Sequence, residues 1–240
     1  MQVRAGFSRA TNDGRELRQL SRALSGVRHE KRAGTKDGAE AGSVIRGMAA
    51  VYYRDGDTAT EYWLWDDIVE RLMPGCFDRA ISEAHDARAL FNHDSNQLLG
   101  RVSSGTCRLS LDSTGLAYEI DADPNDPDSQ RVAAKIDRGD VNGSSFGFIP
   151  RAVRWLEEKL DSGDWLYIRE VVDVDLFDVG PVTWPAYSGT TAGRSSAPSR
   201  AIDSADSAEI AYLRRERDQH LRPADDDAVQ MRLRLIELDR

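Results

Sequence analysis

The chain has 240 residues, 40% hydrophobic and 30% charged, with a formal net charge of −9. That is enough apolar material for a core. The acidic balance argues against a nucleic-acid binder, and no apolar run approaches the roughly 18 residues of a membrane helix. Two cysteines, Cys76 and Cys107, and four histidines show no metal-ligand spacing. No disulfide framework, metal site or cofactor is expected, and an intracellular compartment fits.

Charge is unevenly spread. Residues 1–42 carry nine Lys/Arg against five Asp/Glu and contain one aromatic residue, Phe7. They read as a flexible basic arm, with Leu17, Leu20 and Leu24 at helical spacing and a linker over 34–42. The acidic middle holds all five tryptophans and reads mainly as strand: 43–53, 61–72, 88–92, 98–111, 116–122, 145–155 and 165–184. Turn signals at Asp55-Gly56-Asp57 and Ser113-Thr114-Gly115 favour a barrel or sandwich. Helices are predicted over 76–85 and 128–138, the second stopped by Gly139. Residues 188–199 form a small-residue linker. Residues 202–240 read as a helical tail broken near Pro223, with Val229, Met231, Leu233, Leu235, Ile236 and Leu238 on a partly apolar face; such a segment rarely holds a core alone.

Three features carry chemistry. His93 ends a short apolar strand, where an imidazole is fixed well enough to act as a base. Gly143-Ser144-Ser145-Phe146-Gly147-Phe148 places two hydroxyls between glycines; a serine there needs a histidine to take its proton. Gly143, Ser145 and Gly147 have the spacing of a hydrolase elbow, but the context is helix–turn–strand rather than strand–turn–helix. The acidic strand from Arg169 to Leu176 offers Glu170, Asp173 and Asp175, and a carboxylate there would orient the imidazole. Read separately, each segment is equally a loop histidine, a turn before a core strand and a solvated strand face.

Their order is more specific. Gly47 to Tyr52, Met73 to Asp78, Asn92-His93-Asp94, Leu99-Gly100, Asp112 through Leu116, Gly139 to Phe148 and Val179 to Tyr187 together resemble the prohead maturation protease family of tailed bacteriophages. That family is similar in fold to the herpesvirus capsid maturation protease, assemblin. The resemblance spans residues 44–191. It implies a mainly β, herpesvirus-protease-like β-barrel with a few helices in a protease domain (43–191), flanked by the flexible N-terminal arm (1–42) and the linker with helical tail (192–240) read from composition.

The activity implied is that of a serine endopeptidase. His93 matches the family's histidine, and Ser145, before Phe-Gly-Phe, its serine. The family's acid lies three positions before a leucine, so Leu176 points to Asp173. Glu170 is an alternative. Asp178 is a third, because Asp178-Val179-Gly180 stands where the family usually has Glu-Val-Ser. By the same similarity a turn at Val179-Gly180 would supply an oxyanion donor.

Expected substrates and partners are the major capsid protein with its scaffold segment, the portal protein and a second copy of the chain, inside the assembling prohead in the host cytoplasm. Neither nucleic acid nor membrane is expected as a partner. Self-cleavage is expected in the linkers, near 33–43 or 188–200. Two competing readings stay open: a non-catalytic assembly protein and an unrelated β-barrel hydrolase. A Ser145 Oγ within about 3–4 Å of a His93 nitrogen favours the protease.

Overall fold

The structure is a computed structural model that describes residues 9–10, 14–31, 42–184 and 204–221. In chain order the strands are β1 (Arg9–Ala10), β2 (Glu16–Leu20), β3 (Arg28–Lys31), β4 (Ser43–Val51), β5 (Tyr62–Trp65), β6 (Ile68–Leu72), β7 (Arg88–Leu90), β8 (Leu98–Arg101), β9 (Cys107–Leu111), β10 (Gly115–Ala122), β11 (Gly143–Lys159) and β12 (Trp165–Val182). The helices are α1 (Arg22–Ser25), α2 (Asp78–Ser82), α3 (Pro127–Asp137) and α4 (Ser204–Leu221).

Apolar alternation sets the strands. In β10, Leu116, Tyr118, Ile120 and Ala122 turn inward. Glu119 and Asp121 point outward, where Arg108 on β9 pairs with both. β10 lies between β4 and β9, and β3 completes this four-stranded sheet. The larger, eight-stranded sheet is built on the hairpin of β11 and β12, antiparallel from Gly143↔Val182 to Lys159↔Trp165. The other edge of β11 pairs with β2, and that of β12 with β6 and, further along, β7, both parallel. Core side chains include Ile45, Leu72, Phe77, Leu116, Ile120, Val132, Phe146, Phe148, Val171 and Val179. Phe146 stacks on Phe148 with centroids 5.0 Å apart and meets the Phe77 ring edge-on at 5.6 Å.

The fold is mainly β with helices, as expected, but its strands divide between two sheets that do not close into one barrel. Two expected strands are each split in two, the first into a hairpin and the second between the two sheets. Residues 61–72 break at Asp66-Asp67 into β5 and β6, and 98–111 break before β9 at a turn containing Gly105. α3 begins one residue early: Asp126 caps it by accepting from Asp128 N and Ser129 N at 3.0 and 3.1 Å, with Pro127 in the first turn. α2 covers only the middle of the predicted 76–85.

The largest correction concerns the N-terminal arm. Part of the range read as flexible is built into both sheets, β2 into the larger and β3 into the smaller. Leu17 and Leu20 are buried in β2 rather than on a helix. Composition hides this because the partners that bury them come from β11 and the core, far along the chain. α4 also differs from a free tail: Leu213 is buried with Ile68 and Trp155, and Glu216 bonds Arg169 on β12. The linkers near 33–41 and 188–200 and the apolar face from Val229 to Leu238 lie outside the described residues.

Candidate active site

β7 carries the chain to the end of β12 and stops. Buried Phe91 follows, and then Asn92 and His93 both take left-handed backbone conformations, φ 56° and 59°. Each such non-glycine residue costs on the order of 1–3 kcal/mol and persists only where its surroundings hold it. Asn92 supplies the hold. Its N–H donates to Pro181 O at 3.2 Å, its Oδ1 accepts from Thr183 N at 2.8 Å and its Nδ2 donates to Thr183 Oγ1 at 3.0 Å. The imidazole that follows is thereby aimed back across β12 toward β11.

Strand alternation separates the two serines of β11. Ser144 goes to the smaller sheet, where its Oγ bonds Tyr118 OH at 2.9 Å. Ser145 points the other way, and its Oγ lies 2.5 Å from His93 Nε2. On the far side of the ring, His93 Nδ1 bonds Asp178 Oδ1. Asp178 stands opposite Gly147 in the ladder and is nearly fully buried. With the carboxylate fixing the proton on Nδ1, Nε2 is left to accept from Ser145, the tautomer a general base requires.

Two glycines make this approach possible. A Cβ on Gly147 would lie 2.3 Å from Asp178 Oδ2, and one on Gly180, opposite Ser145, would lie 2.1 Å from the Leu90 carbonyl oxygen. Val179 and Gly180, expected as a turn, lie inside β12. Gly180 serves close packing there rather than flexibility.

The other two candidate acids are engaged elsewhere. Asp173 accepts from Arg79 Nε at 2.9 and 3.0 Å, and Glu170 accepts from Arg154 Nε at 2.6 Å. The expectation of Asp173 as the acid is therefore corrected: the carboxylate that meets His93 is Asp178. Register shifts at Gly147/Phe148, Pro150/Ala152 and Ala152/Val153 break simple alternation along the hairpin. Counting back from Leu176 along β12 reaches Asp173, whose carboxylate meets Arg79 rather than His93. Asp178, the third candidate acid, is marked by its place in Asp178-Val179-Gly180; Gly147 between two phenylalanines, a gap left for a neighbour, is a second signal for it. Asn92, which holds the histidine loop, was not singled out by sequence reasoning.

The cysteines offer no competing nucleophile. Both are buried and unpaired. Burial pushes the Cys76 thiol well above its usual range and the Cys107 thiol up to about 12, so neither supplies thiolate near neutrality. Among the described residues no His, Cys, Asp and Glu side chains group as a metal site.

A model of the caudovirus prohead serine protease family matches residues 30–204. The chain belongs to that family. Within the matched range fall His93, Ser145, Asp178 and the loop held by Asn92. The solved structure of the bacteriophage T4 capsid assembly protease is 11% identical and aligns over 70% of this chain and 99% of its own, with a TM-score of 0.39. No curated protein matches the chain.

Proposed function

We propose that this member of the prohead protease family is an active serine endopeptidase that cuts the capsid protein or its scaffold segment inside the assembling prohead. Ser145 is the nucleophile, His93 the general base and Asp178 the orienting acid. The observation that carries this reading is the chain of contacts Asp178–His93–Ser145, with 2.5 Å between His93 Nε2 and Ser145 Oγ.

The chemistry follows from those contacts. His93 Nε2 takes the hydroxyl proton as Ser145 Oγ attacks a peptide carbonyl, then gives it to the leaving amine. Asp178 holds the tautomer and stabilises the imidazolium formed in between. Water, deprotonated by the same histidine, releases the acyl group. Co-expression with the capsid protein tests the reading: wild type yields shortened capsid protein or scaffold, and Ser145→Ala leaves both at full length. Cleavage that persists in Ser145→Ala would refute it.

A further inference from the structure

Ser145 is wholly buried, and β2 covers it. The family match begins at residue 30, so this covering strand lies outside it. β2 runs antiparallel along β11, with Glu16 opposite Phe148, Arg18 opposite Phe146 and Gln19 opposite Ser145. The Arg18 carbonyl oxygen is 2.9 Å from Ser145 Oγ. The Arg18–Gln19 peptide bond therefore stands against the hydroxyl that His93 approaches from the other side. That hydroxyl has one proton, and the Arg18 carbonyl competes with His93 Nε2 for it.

The Arg18 side chain is seated as firmly as its carbonyl. Its guanidinium is buried and bidentate on Glu70 of β6, at 2.6 and 2.9 Å. Arg169 of β12 bonds the same Glu70 at 2.6 Å and also reaches Glu16 and Glu216. Without β2, the floor of this pocket would comprise Glu70, Glu216 and Arg169, two carboxylates to one guanidinium. It would keep an acidic face for an incoming cation. An extended peptide that adds a strand to a sheet edge gains main-chain hydrogen bonds and takes its specificity from such side-chain pockets.

Building on the protease reading, we propose that β2 is an internal substrate. It fills the peptide groove beside Ser144 to Phe148, seats Arg18 on Glu70 and presents the Arg18–Gln19 bond to Ser145. The groove accordingly selects an extended segment with arginine immediately before the cut, and the full chain stays closed to other substrates until that bond is broken. In the step itself, Ser145 Oγ bonds to the Arg18 carbonyl carbon while its proton passes to His93. The carbon–nitrogen bond to Gln19 breaks, and the proton goes to the new amine. Residues 1–18 remain as an ester on Ser145 until water, giving one proton to His93, hydrolyses it and leaves a carboxylate on Arg18.

The test follows intact mass and new N-termini during incubation of the purified full chain, as wild type, Ser145→Ala, Arg18→Lys and Arg18→Met. Thermal melts check folding, and each preparation also receives a synthetic Glu-Leu-Arg-Gln-Leu peptide and its Met-for-Arg counterpart. A Gln19 terminus is expected in wild type and Arg18→Lys but not in Ser145→Ala, with Arg18→Met slower by at least about tenfold. The arginine peptide should be cut faster than its counterpart, and only as the Gln19 terminus accumulates. Two results would overturn the proposal and leave the protease reading standing: capsid protein cut, dependent on Ser145, by chains whose Arg18–Gln19 bond stays intact, or equal rates on the two peptides. No Ser145-dependent hydrolysis of chain, peptide or capsid protein would overturn the protease reading and this proposal together.

Discussion

Gly147 faces Asp178 across the β11–β12 ladder so closely that a single added methyl group would lie 2.3 Å from the carboxylate oxygen. Gly147→Ala is thus expected to displace the acid without touching the nucleophile or the base. Turnover should fall by about 10²–10⁴, the range expected when the histidine loses its orienting carboxylate. Peptidase assays beside thermal melts check this; an unchanged turnover would show that Asp178 does not orient His93.

The three acids make a sharper comparison. Asp178→Asn keeps the shape and removes the charge, so turnover should drop by about 10⁴. Asp173→Asn breaks a half-exposed pair with Arg79 and should stay within a few-fold of wild type. Glu170→Gln, which loses the partner of Arg154, should lower stability more than turnover. Steady-state kinetics on all three settles the order.

Asn92 acts through His93 and is a positioning residue. Asn92→Ala removes both side-chain bonds to Thr183 and puts alanine in a left-handed backbone, a loss of about 1–3 kcal/mol. The expected signature is a fall in kcat with little change in KM. Asn92→Asp, which keeps the acceptor for Thr183 N, should recover part of it.

The β2 clamp should respond to acid. Burial raises the Glu16 carboxyl, but Arg169 and then Arg18 outweigh it and leave the pKa lowered to about 2. A carboxylate lowered on folding contributes stability above its unfolded value, near 4.5, and loses that contribution as pH falls toward 2. Arg18 and Arg169 stay charged throughout, and Glu70 and Glu216 share Arg169 with Glu16. The protection of amides 16–20, taken as the ratio of the intrinsic to the observed exchange rate at each pH, should therefore fall as pH drops from about 4.5 to 2. In Glu16→Gln the slope contributed by this group should vanish.

How far the sequence speaks depends on distance along the chain. The β10 alternation, the stop at Gly139 and the pairing of His93 with Ser145 rest on local pattern or on motif order, and each was legible. Asp178 was legible only as the third of three candidate acids, because its place opposite Gly147 depends on a register that hydrophobic alternation does not record. β2 was misread for a related reason. It lies in a basic stretch that resembles a solvated arm, while Glu70, the carboxylate that holds Arg18 in bidentate fashion, sits on β6, 52 residues away. The two halves of the strand split at Asp66-Asp67 each read as strand, and the aspartate pair between them is an overlooked turn signal.

The most direct test of the central claim is covalent labelling of the nucleophile. A chain incubated until the Gln19 terminus has formed is treated with a fluorophosphonate probe, digested and mapped by mass spectrometry. The expected result is a label on Ser145, absent from His93→Ala. A label on Ser144 instead, or an unlabelled Ser145 in a preparation that cuts capsid protein, would contradict the account.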